Sequence, residues 1–216
     1  MGTEALRNWL IDRKYGGWVG NKIPTRFAQM GANASHSADY YQLKKLFKPG
    51  AGVEIRPDDV LVDVGCGTGR IINFWLYHGC KNQLYGLELD PDIAAAAEQR
   101  LSRYPNVKII AGNAIENLPL NGTLFFLFNP FKPVVMQAFK EQMFGLFQNQ
   151  PKVRILYSYC KFLDVFKNDP NWRVQELHLK TFYPAALITI NGDVERDDPR
   201  LSLQSGEGPE KKSAVQ

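Results

Sequence analysis

The stretch that decides the fold is VLVDVGCGTGR, residues 60–70. It begins with branched apolar residues in a continuous run, which is typical of a buried parallel strand. An acid, Asp63, stands within the run, and glycines follow at alternate positions from Gly65 to Gly69. Glycines placed in this way let the backbone turn sharply and let a ligand approach with no Cβ in between. The stretch therefore predicts a strand, a ligand-binding loop and the start of a helix. A purely structural turn, which needs one or two glycines, is the weaker alternative.

On the C-terminal side of this stretch, strand-like and helix-like segments alternate. Two strand-like runs, 172–179 and 182–190, follow each other with no helix between them, which predicts an antiparallel pair. Before them, helices are predicted over 70–79, from Asp90 onwards and over 132–148, and strands over 83–89, 107–111, 123–128 and 153–159. This alternation predicts an α/β fold with a mostly parallel sheet and helices on both faces.

The two ends of the chain differ from this regular part. Residues 37–48 carry apolar residues at helical spacing and predict a helix, which either packs on the core or forms a lid over the site. From residue 193 the sequence is polar and charged, as in a flexible tail. We therefore expect an N-terminal helical extension over 1–57, a sheet domain over 58–192 and a tail over 193–216.

Composition excludes several classes of protein. With 216 residues, 44% hydrophobic and 12% aromatic, the chain is neither wholly disordered nor a minimal disulfide scaffold. The net charge of +4 permits contact with nucleic acid without arguing for it. Three cysteines and three scattered histidines indicate neither a disulfide framework nor a metal site, and no apolar run is long enough to span a bilayer. We expect a soluble, cytoplasmic protein whose oligomeric state is undetermined.

The loop points to a nucleotide-type cofactor but does not by itself say which one. A P-loop pattern is absent, and the dinucleotide fingerprint would need a third glycine at the position of Arg70. A second acid, Glu88, ends the next strand about 20 residues after the glycines, which suits a ribose contact in a dinucleotide or in an adenosyl cofactor.

Four motifs in register resemble those of class I S-adenosylmethionine-dependent methyltransferases. VLVDVGCGTGR resembles their first motif, and GLELDP (86–91) resembles the end of their second strand. GNA (112–114) resembles the loop after their third strand, and FFLFNPF (125–131) the motif after their fourth. The chain is most similar to a group of small, largely uncharacterised members that also carry D-R-x-Y-G, here Asp12 to Gly16.

The resemblance implies a Rossmann-like seven-stranded sheet of order 3-2-1-4-5-7-6, with strand 7 antiparallel. It also implies S-adenosylmethionine as cofactor, S-adenosylhomocysteine as product, and no metal. Glu88 would accept hydrogen bonds from the ribose, and Asp63 would lie near the cofactor's amino group. Asn113 stands where the family usually has Asp, so weakened adenine recognition is expected. The implied cofactor-binding residues are Asp63, Gly65, Cys66, Gly67, Gly69, Glu88, Leu89, Asn113, Ala114 and Asn129.

The acceptor side is less defined by the sequence. Asn129 is the candidate catalytic residue, with a simple Asn-Pro turn as the alternative. Tyr40, Tyr41, Pro130 and Phe131 are candidate substrate or lid residues. A protein amine such as lysine, or a small molecule, is the expected acceptor, with no clear nucleic-acid partner and no membrane. Two other functions stay open: a non-catalytic cofactor-binding module, and an NAD-dependent oxidoreductase, which Arg70 and the N-P-F motif disfavour.

Overall fold

The computed structural model describes residues 3–17, 19–20, 24–33, 37–50 and 52–191. Before the sheet come helix α1 (Thr3–Lys14), a short 3-10 turn (Ala28–Met30) and helix α2 (Tyr40–Leu46). Helix α2 begins after the predicted residue 37 because Asp39 caps it, its carboxylate accepting a hydrogen bond from the Tyr41 amide at 2.7 Å, and it ends at Leu46, with Phe47 as the C-cap. The predicted tail, 193–216, lies outside the described residues.

Seven strands and four more helices follow in the predicted order. The strands are β1 (Leu61–Val64), β2 (Leu84–Glu88), β3 (Val107–Ala111), β4 (Leu124–Phe128), β5 (Arg154–Ser158), β6 (Trp172–Leu177) and β7 (Ala185–Ile190). The helices are α3 (Arg70–Tyr77), α4 (Pro91–Leu101), α5 (Pro133–Phe147) and α6 (Asp164–Lys167). The last of these is a single turn that the sequence analysis did not predict.

The strands form one sheet of order β3-β2-β1-β4-β5-β7-β6, in which β7 runs antiparallel to β5 and β6. This confirms the predicted fold class and the predicted final strand pair. Val64 pairs with Leu87 on one side and Leu127 on the other, so β1, β2 and β4 end at nearly the same level. The loops that follow these strands therefore meet at one edge of the sheet, called the carboxyl edge below.

The core lies on both faces of the sheet. One hydrophobic cluster includes α3 residues such as Trp75, and the other includes α5 residues such as Phe139. Ile11 and Tyr15, from the N-terminal segment, belong to the first cluster. The expected boundary near residue 57 is therefore not a break in the core, because the N-terminal segment shares its packing with β1 and α3.

A buried polar contact joins the N-terminal segment to the glycine loop. Asp12 is fully buried and pairs with Arg70 at the start of α3, with Oδ2 2.8 Å from Nη2. The Tyr40 hydroxyl donates to the other oxygen of Asp12 at 2.6 Å. Arg100 of α4 donates to the carbonyls of Tyr15 and Thr68. The D-R-x-Y-G motif and the arginine that ends the loop motif thus form one structural unit that holds the loop in place.

Within the described part of the chain, no helix combines the length and the apolar character that crossing a membrane requires.

Candidate functional site

A pocket of about 170 Å³ opens at the carboxyl edge, where the loops after β1, β2, β3 and β4 converge. Ligands of open α/β sheets commonly bind at such a place. Ten of the residues singled out from the sequence line it: Asp63, Gly65, Cys66, Glu88, Leu89, Asn113, Ala114, Asn129, Pro130 and Phe131. Gly67 and Gly69, which the sequence analysis also singled out, belong to the loop backbone beside the pocket and are not among its lining residues.

The glycine loop wraps tightly over the end of β1. Gly65 has a φ of +76°, a conformation that residues with a side chain rarely adopt, and a Cβ there would lie 3.0 Å from Cβ of Pro130. The Gly67 amide donates to Oε2 of Glu88 at 2.7 Å. Gly69 provides the N-cap of α3. Gly65 thus keeps the pocket wall free of a side chain, while the other two glycines set the course of the loop.

Two acids lie side by side in the pocket. The Asp63 side chain is buried, and no donor among the described residues reaches its Oδ2. Glu88 accepts backbone hydrogen bonds from Gly67 and from Asp90, the latter at 2.9 Å on Oε1. Burial raises the pKa of Asp63 well above its usual value, and the nearby charge of Glu88 raises it further. Burial likewise raises the pKa of Glu88, although its backbone hydrogen bonds oppose this.

Cys66 shares this environment. Burial and the charges of Asp63 and Glu88 raise the pKa of its thiol well above the usual value. A thiol in such surroundings stays protonated and is not activated as a nucleophile. Cys66 therefore contributes shape to the pocket rather than covalent chemistry.

The far end of the pocket is formed after β2 and β3. Leu89, Ala114 and Ile115 line it with apolar side chains. The Asn113 side chain is engaged locally, its Oδ1 accepting from the Ile115 amide at 3.1 Å and its Nδ2 donating to Glu116 at 2.8 Å. The Asn113 oxygen retains a second lone pair. This end thus offers an apolar slot with one side-chain acceptor at its rim.

Asn129, directly after β4, combines the two roles considered from the sequence. Its φ of +46° is left-handed, which few residues other than glycine adopt and which Asn tolerates best. Its Oδ1 is buried, and no described residue donates a hydrogen bond to it. Asn129 therefore makes a turn before Pro130 and at the same time leaves an acceptor oxygen in the wall of the pocket.

The roof of the pocket is formed by residues 24–33, called the strap below, which lie within the N-terminal segment but outside the helix predicted as a lid. At one end Arg26 pairs with Asp90 at 2.7 Å and with Asp92. At the other end Asn33 donates through Nδ2 to the carbonyls of Asn129 and Phe131, at 2.9 and 3.0 Å. The strap residues that line the pocket are Pro24, Thr25, Phe27, Met30, Ala32 and Asn33. The strap thus spans from the loop after β2 to the turn after β4.

The structure does not bring Tyr40 and Tyr41 to the pocket, which departs from their expected lid role. Tyr40 is buried beneath the N-terminal segment, with its hydroxyl on Asp12 and the Arg70 guanidinium 5.1 Å from its ring. Tyr41 lies in a small groove beside Lys44 and Tyr77. The lid function was expected from paired tyrosines on α2, but the helix turns one of them into the core and the other toward this groove.

The hydrogen-bond acceptors of the pocket suit an adenosyl cofactor that carries positive charge. Asp63 Oδ2 and Asn129 Oδ1 are buried acceptors without a donor among the described residues, and Glu88 lies at the end of β2. The described residues contain no cluster of three or more side chains suited to a metal ion.

Comparison with known proteins agrees with this geometry. Residues 61–143 match the methyltransferase domain family. Ribosomal RNA small subunit methyltransferase A of Thermotoga neapolitana is 36% identical over 56 residues, which are 26% of this chain and 21% of that protein. The same enzyme of Thermotoga maritima matches over 56 residues at 36% identity and 19% of its length. The chain thus spans about a fifth of the length of these relatives.

Solved structures share the fold at low sequence identity. The S-adenosylhomocysteine-bound methyltransferase of Podospora anserina has a TM-score of 0.57 at 15% identity, covering 89% of both chains. Mitomycin 7-O-methyltransferase has a TM-score of 0.56 at 12% identity, covering 70% of this chain and 53% of that one. The family match over residues 61–143 and the shared fold agree with the resemblance to class I S-adenosylmethionine-dependent methyltransferases. Membership of the group with the D-R-x-Y-G and N-P-F motifs stays a resemblance.

Proposed function

We propose that this chain binds S-adenosylmethionine beneath the strap and transfers the methyl group to an acceptor that enters past Asn129. The observation that carries the proposal is a buried acid, Asp63, beside a half-buried one, Glu88, in a glycine-walled pocket. Neither Asp63 nor Glu88 forms an ion pair with a described residue. Both have a raised pKa, so a positively charged ligand beside them would remove an unfavourable charge environment.

Different residues of the pocket would contact different parts of S-adenosylmethionine. Glu88 would accept hydrogen bonds from the ribose hydroxyls with lone pairs that its backbone partners leave available. Asp63 would accept from the ammonium group, and the apolar slot of Leu89 and Ile115 would hold the adenine. When bound, this cofactor supplies a methyl group on a positively charged sulfur, which needs little acid–base assistance from the protein. The protein's contribution is to position the two reactants and to exclude water.

Asn129 would act on the acceptor. Its buried Oδ1 can accept an N–H or O–H hydrogen bond from the acceptor and so direct the acceptor's lone pair toward the methyl group. Pro130 and Phe131 would line the route to it. We infer that the acceptor is a protein amine such as lysine or a small molecule, because acids and apolar groups dominate the lining of the pocket and its cation, Arg70, is paired with Asp12. Mitomycin 7-O-methyltransferase, which shares the fold, is named for a small-molecule substrate.

Calorimetry with S-adenosylmethionine, S-adenosylhomocysteine, NAD and ATP tests the cofactor. We expect binding of the first two only, and a loss of at least about tenfold in affinity in Glu88→Ala, since two charge-assisted hydrogen bonds are each worth roughly 1.5–3 kcal/mol. Glu98→Ala, a change at an exposed acid of α4, is the matched control and should leave affinity unchanged. Preferred binding of NAD, or equal affinity of the Glu88 and Glu98 variants, would contradict the proposal.

Transfer is tested by incubating the protein with a labelled methyl donor and cell extract. Label in protein that the Asn129→Ala variant fails to transfer would support a protein amine, and label in a small-molecule fraction would support the other acceptor class. Tight cofactor binding without transfer to any fraction would instead favour a non-catalytic binding module.

A further inference from the structure

A second feature lies outside the pocket, on the surface formed by α1, α2 and α3. It consists of cationic and aromatic side chains that alternate and is called the basic band below; its members are Arg7, Lys14, Lys44, Lys45, Tyr41 and Tyr77. The sequence predicted no clear nucleic-acid partner, and in it these residues are scattered from position 7 to position 77 in a chain whose net charge is only +4. The fold brings them together.

Contacts between the members show that the band is continuous. The Lys14 ammonium lies 5.3 Å from the centre of the Tyr77 ring. Tyr77 shares a small groove with Arg7, Lys44 and Tyr41. The Lys45 ammonium in turn lies 5.3 Å from the centre of the Tyr41 ring. Cations and ring faces therefore follow one another across α1, α3 and α2.

The cations of the band have no acidic partners among the described residues. The ion pairs at the surface of the described part involve Arg26, Lys152 and Lys167, all on other parts of the molecule. Helix α1 contains a single exposed acid, Glu4, and α2 and α3 contain none. A surface with mixed charges would pair such cations, so the band keeps an excess of positive potential.

The pKa of a histidine in the groove agrees with this positive potential. His78 sits in it with Arg7 and Lys44, and its pKa is lowered by burial and, beyond that, by the charges of these two cations. No acid is among the residues that line this groove.

The band also leads toward the acceptor side of the pocket. The Tyr41 ring lies 5.8 Å from that of Phe182, which is 73% exposed. Next in sequence, Tyr183 packs against Phe128 with ring centres 5.5 Å apart, and Phe128 lines the pocket. Gln42 of α2 fixes this connection, since its Oε1 accepts from the Phe182 amide and its Nε2 donates to the Tyr183 carbonyl.

We propose that the basic band is a docking surface for single-stranded nucleic acid. Cations spaced along a groove suit a phosphate backbone, and the rings between them, the exposed Tyr77 and the half-buried Tyr41, suit unpaired bases, which stack on aromatic side chains. An acidic protein would form ion pairs with the cations of the band, but it would not use the aromatic rings. An anionic membrane would use the exposed Leu6 and Leu10 of α1 instead of the groove. This proposal goes beyond methyl transfer. Nucleic-acid binding is measured without the cofactor, so its failure would be distinguishable from a failure of the proposed methyl transfer.

Fluorescence anisotropy with a labelled mixed-sequence RNA of about 20 nucleotides tests the charge of the band. Arg7→Ala combined with Lys44→Ala should weaken binding at least about tenfold at low salt. It should also reduce the slope of log K against log salt by about 1.4, since each lost phosphate contact accounts for about 0.7. Lys108→Ala combined with Lys152→Ala removes the same charge at exposed positions on β3 and before β5, and should change neither value.

Tyr77→Ala tests the rings, because Tyr77 is already 41% exposed and its loss leaves the core intact. It should weaken RNA binding at least about fivefold with no change in the salt slope, and a fully paired hairpin should bind less tightly than the single strand. Circular dichroism and thermal melting that match the wild type establish that each variant is folded.

Three results would overturn the proposal: no RNA binding by the wild type, equal losses in the two double variants, or tighter binding of the hairpin. Vesicles of phosphatidylserine and phosphatidylcholine are the remaining probe. Vesicle binding that is lost in Leu6→Ser with Leu10→Ser, in a protein that does not bind RNA, would assign the surface to a membrane.

Discussion

At the scale of single residues, Asp63 shows how a binding site can oppose stability. It is a buried carboxyl beside another acid, and its raised pKa means that the folded state favours the protonated form. The stability that such a group contributes is present below its unfolded pKa of about 3.9 and is lost as the pH rises through its folded pKa. Near neutral pH the ionised form therefore lowers the free energy of unfolding.

Asp63→Asn should consequently stabilise the protein near neutral pH. Each kcal/mol of relief raises Tm by about 2–4 °C for a chain of this size. The gain over the wild type should shrink as the pH falls below the folded pKa, since the wild-type carboxyl is then neutral as well. Thermal melts over a range of pH measure this, and Asp58→Asn, at an exposed and paired acid, is the control. The variant should lose at least about tenfold in S-adenosylmethionine affinity, and a destabilised variant at neutral pH would contradict the argument.

The same two acids predict the pH dependence of cofactor binding. Because the pKa values of Asp63 and Glu88 are raised, some protonated form persists above the usual carboxyl range, and a cation binds the ionised form better. S-adenosylmethionine affinity should therefore rise with pH through these pKa values, with release of protons on binding. S-adenosylhomocysteine keeps the ammonium and the ribose and should follow the same profile, whereas adenosine, which lacks the ammonium, should show a flatter one. Calorimetry in buffers of different ionisation enthalpy measures the proton release, and parallel profiles for S-adenosylmethionine and adenosine would count against a charged partner for the acids.

At the scale of elements, the sheet could be predicted and the roof of the pocket could not. Strands such as β4 are uninterrupted apolar runs, and their loops carry glycine or Asn-Pro signals that sequence alone displays. The strap has no periodicity, and its place is set by contacts such as that of Asn33 with a turn almost 100 residues away. Long-range contacts of this kind leave no local signal.

The candidate site divides in the same way. Asp63, Glu88 and Asn129 follow strands, so their position at the carboxyl edge follows from topology. Tyr40 was expected at the pocket because aromatic and polar groups cluster around it in sequence. In the structure Tyr40 contacts Asp12 and Arg70, which are 28 and 30 positions away in the sequence. These contacts hold the Tyr40 hydroxyl in the core. The direction in which a short helix faces depends on such partners.

The strap yields the prediction that belongs to this scale. Asn33→Ala removes two hydrogen bonds to the Asn129–Phe131 turn, which should lower the free energy of unfolding by about 1–3 kcal/mol and loosen the turn. Urea unfolding and amide hydrogen exchange over residues 129–132 measure the two effects. Asn191→Ala, which removes a side-chain bond to the Pro170 carbonyl, should leave exchange at the turn unchanged. Unchanged protection of the turn in Asn33→Ala would mean that the strap does not hold it.

At the scale of the whole molecule, the N-terminal segment is part of the fold and not an appendage. Tyr15 and Ala38 pack in the same cluster as Trp75 and Leu61. Removing residues 1–34 would therefore expose core surface and is expected to unfold the protein, so a deletion of this kind does not isolate a lid function. Point changes at the junction between the segment and the glycine loop give a clearer experiment.

The Asp12–Arg70 pair is that junction. Both side chains are buried, so Asp12→Ala should lower the free energy of unfolding by about 3–5 kcal/mol because it removes one partner of a buried ion pair. Asp12→Leu combined with Arg70→Met replaces both charges with apolar groups, and this double variant should lose less than the sum of the two single changes. Asp58→Ala breaks the exposed pair with Lys152 and should cost only about 0–1 kcal/mol. Chemical denaturation of the wild type and of each single and double variant measures these free energies. If the double variant recovers stability yet still binds S-adenosylmethionine weakly, the pair positions the glycine loop. Additive losses would mean that Asp12 and Arg70 act independently and that the N-terminal motif does not hold the loop.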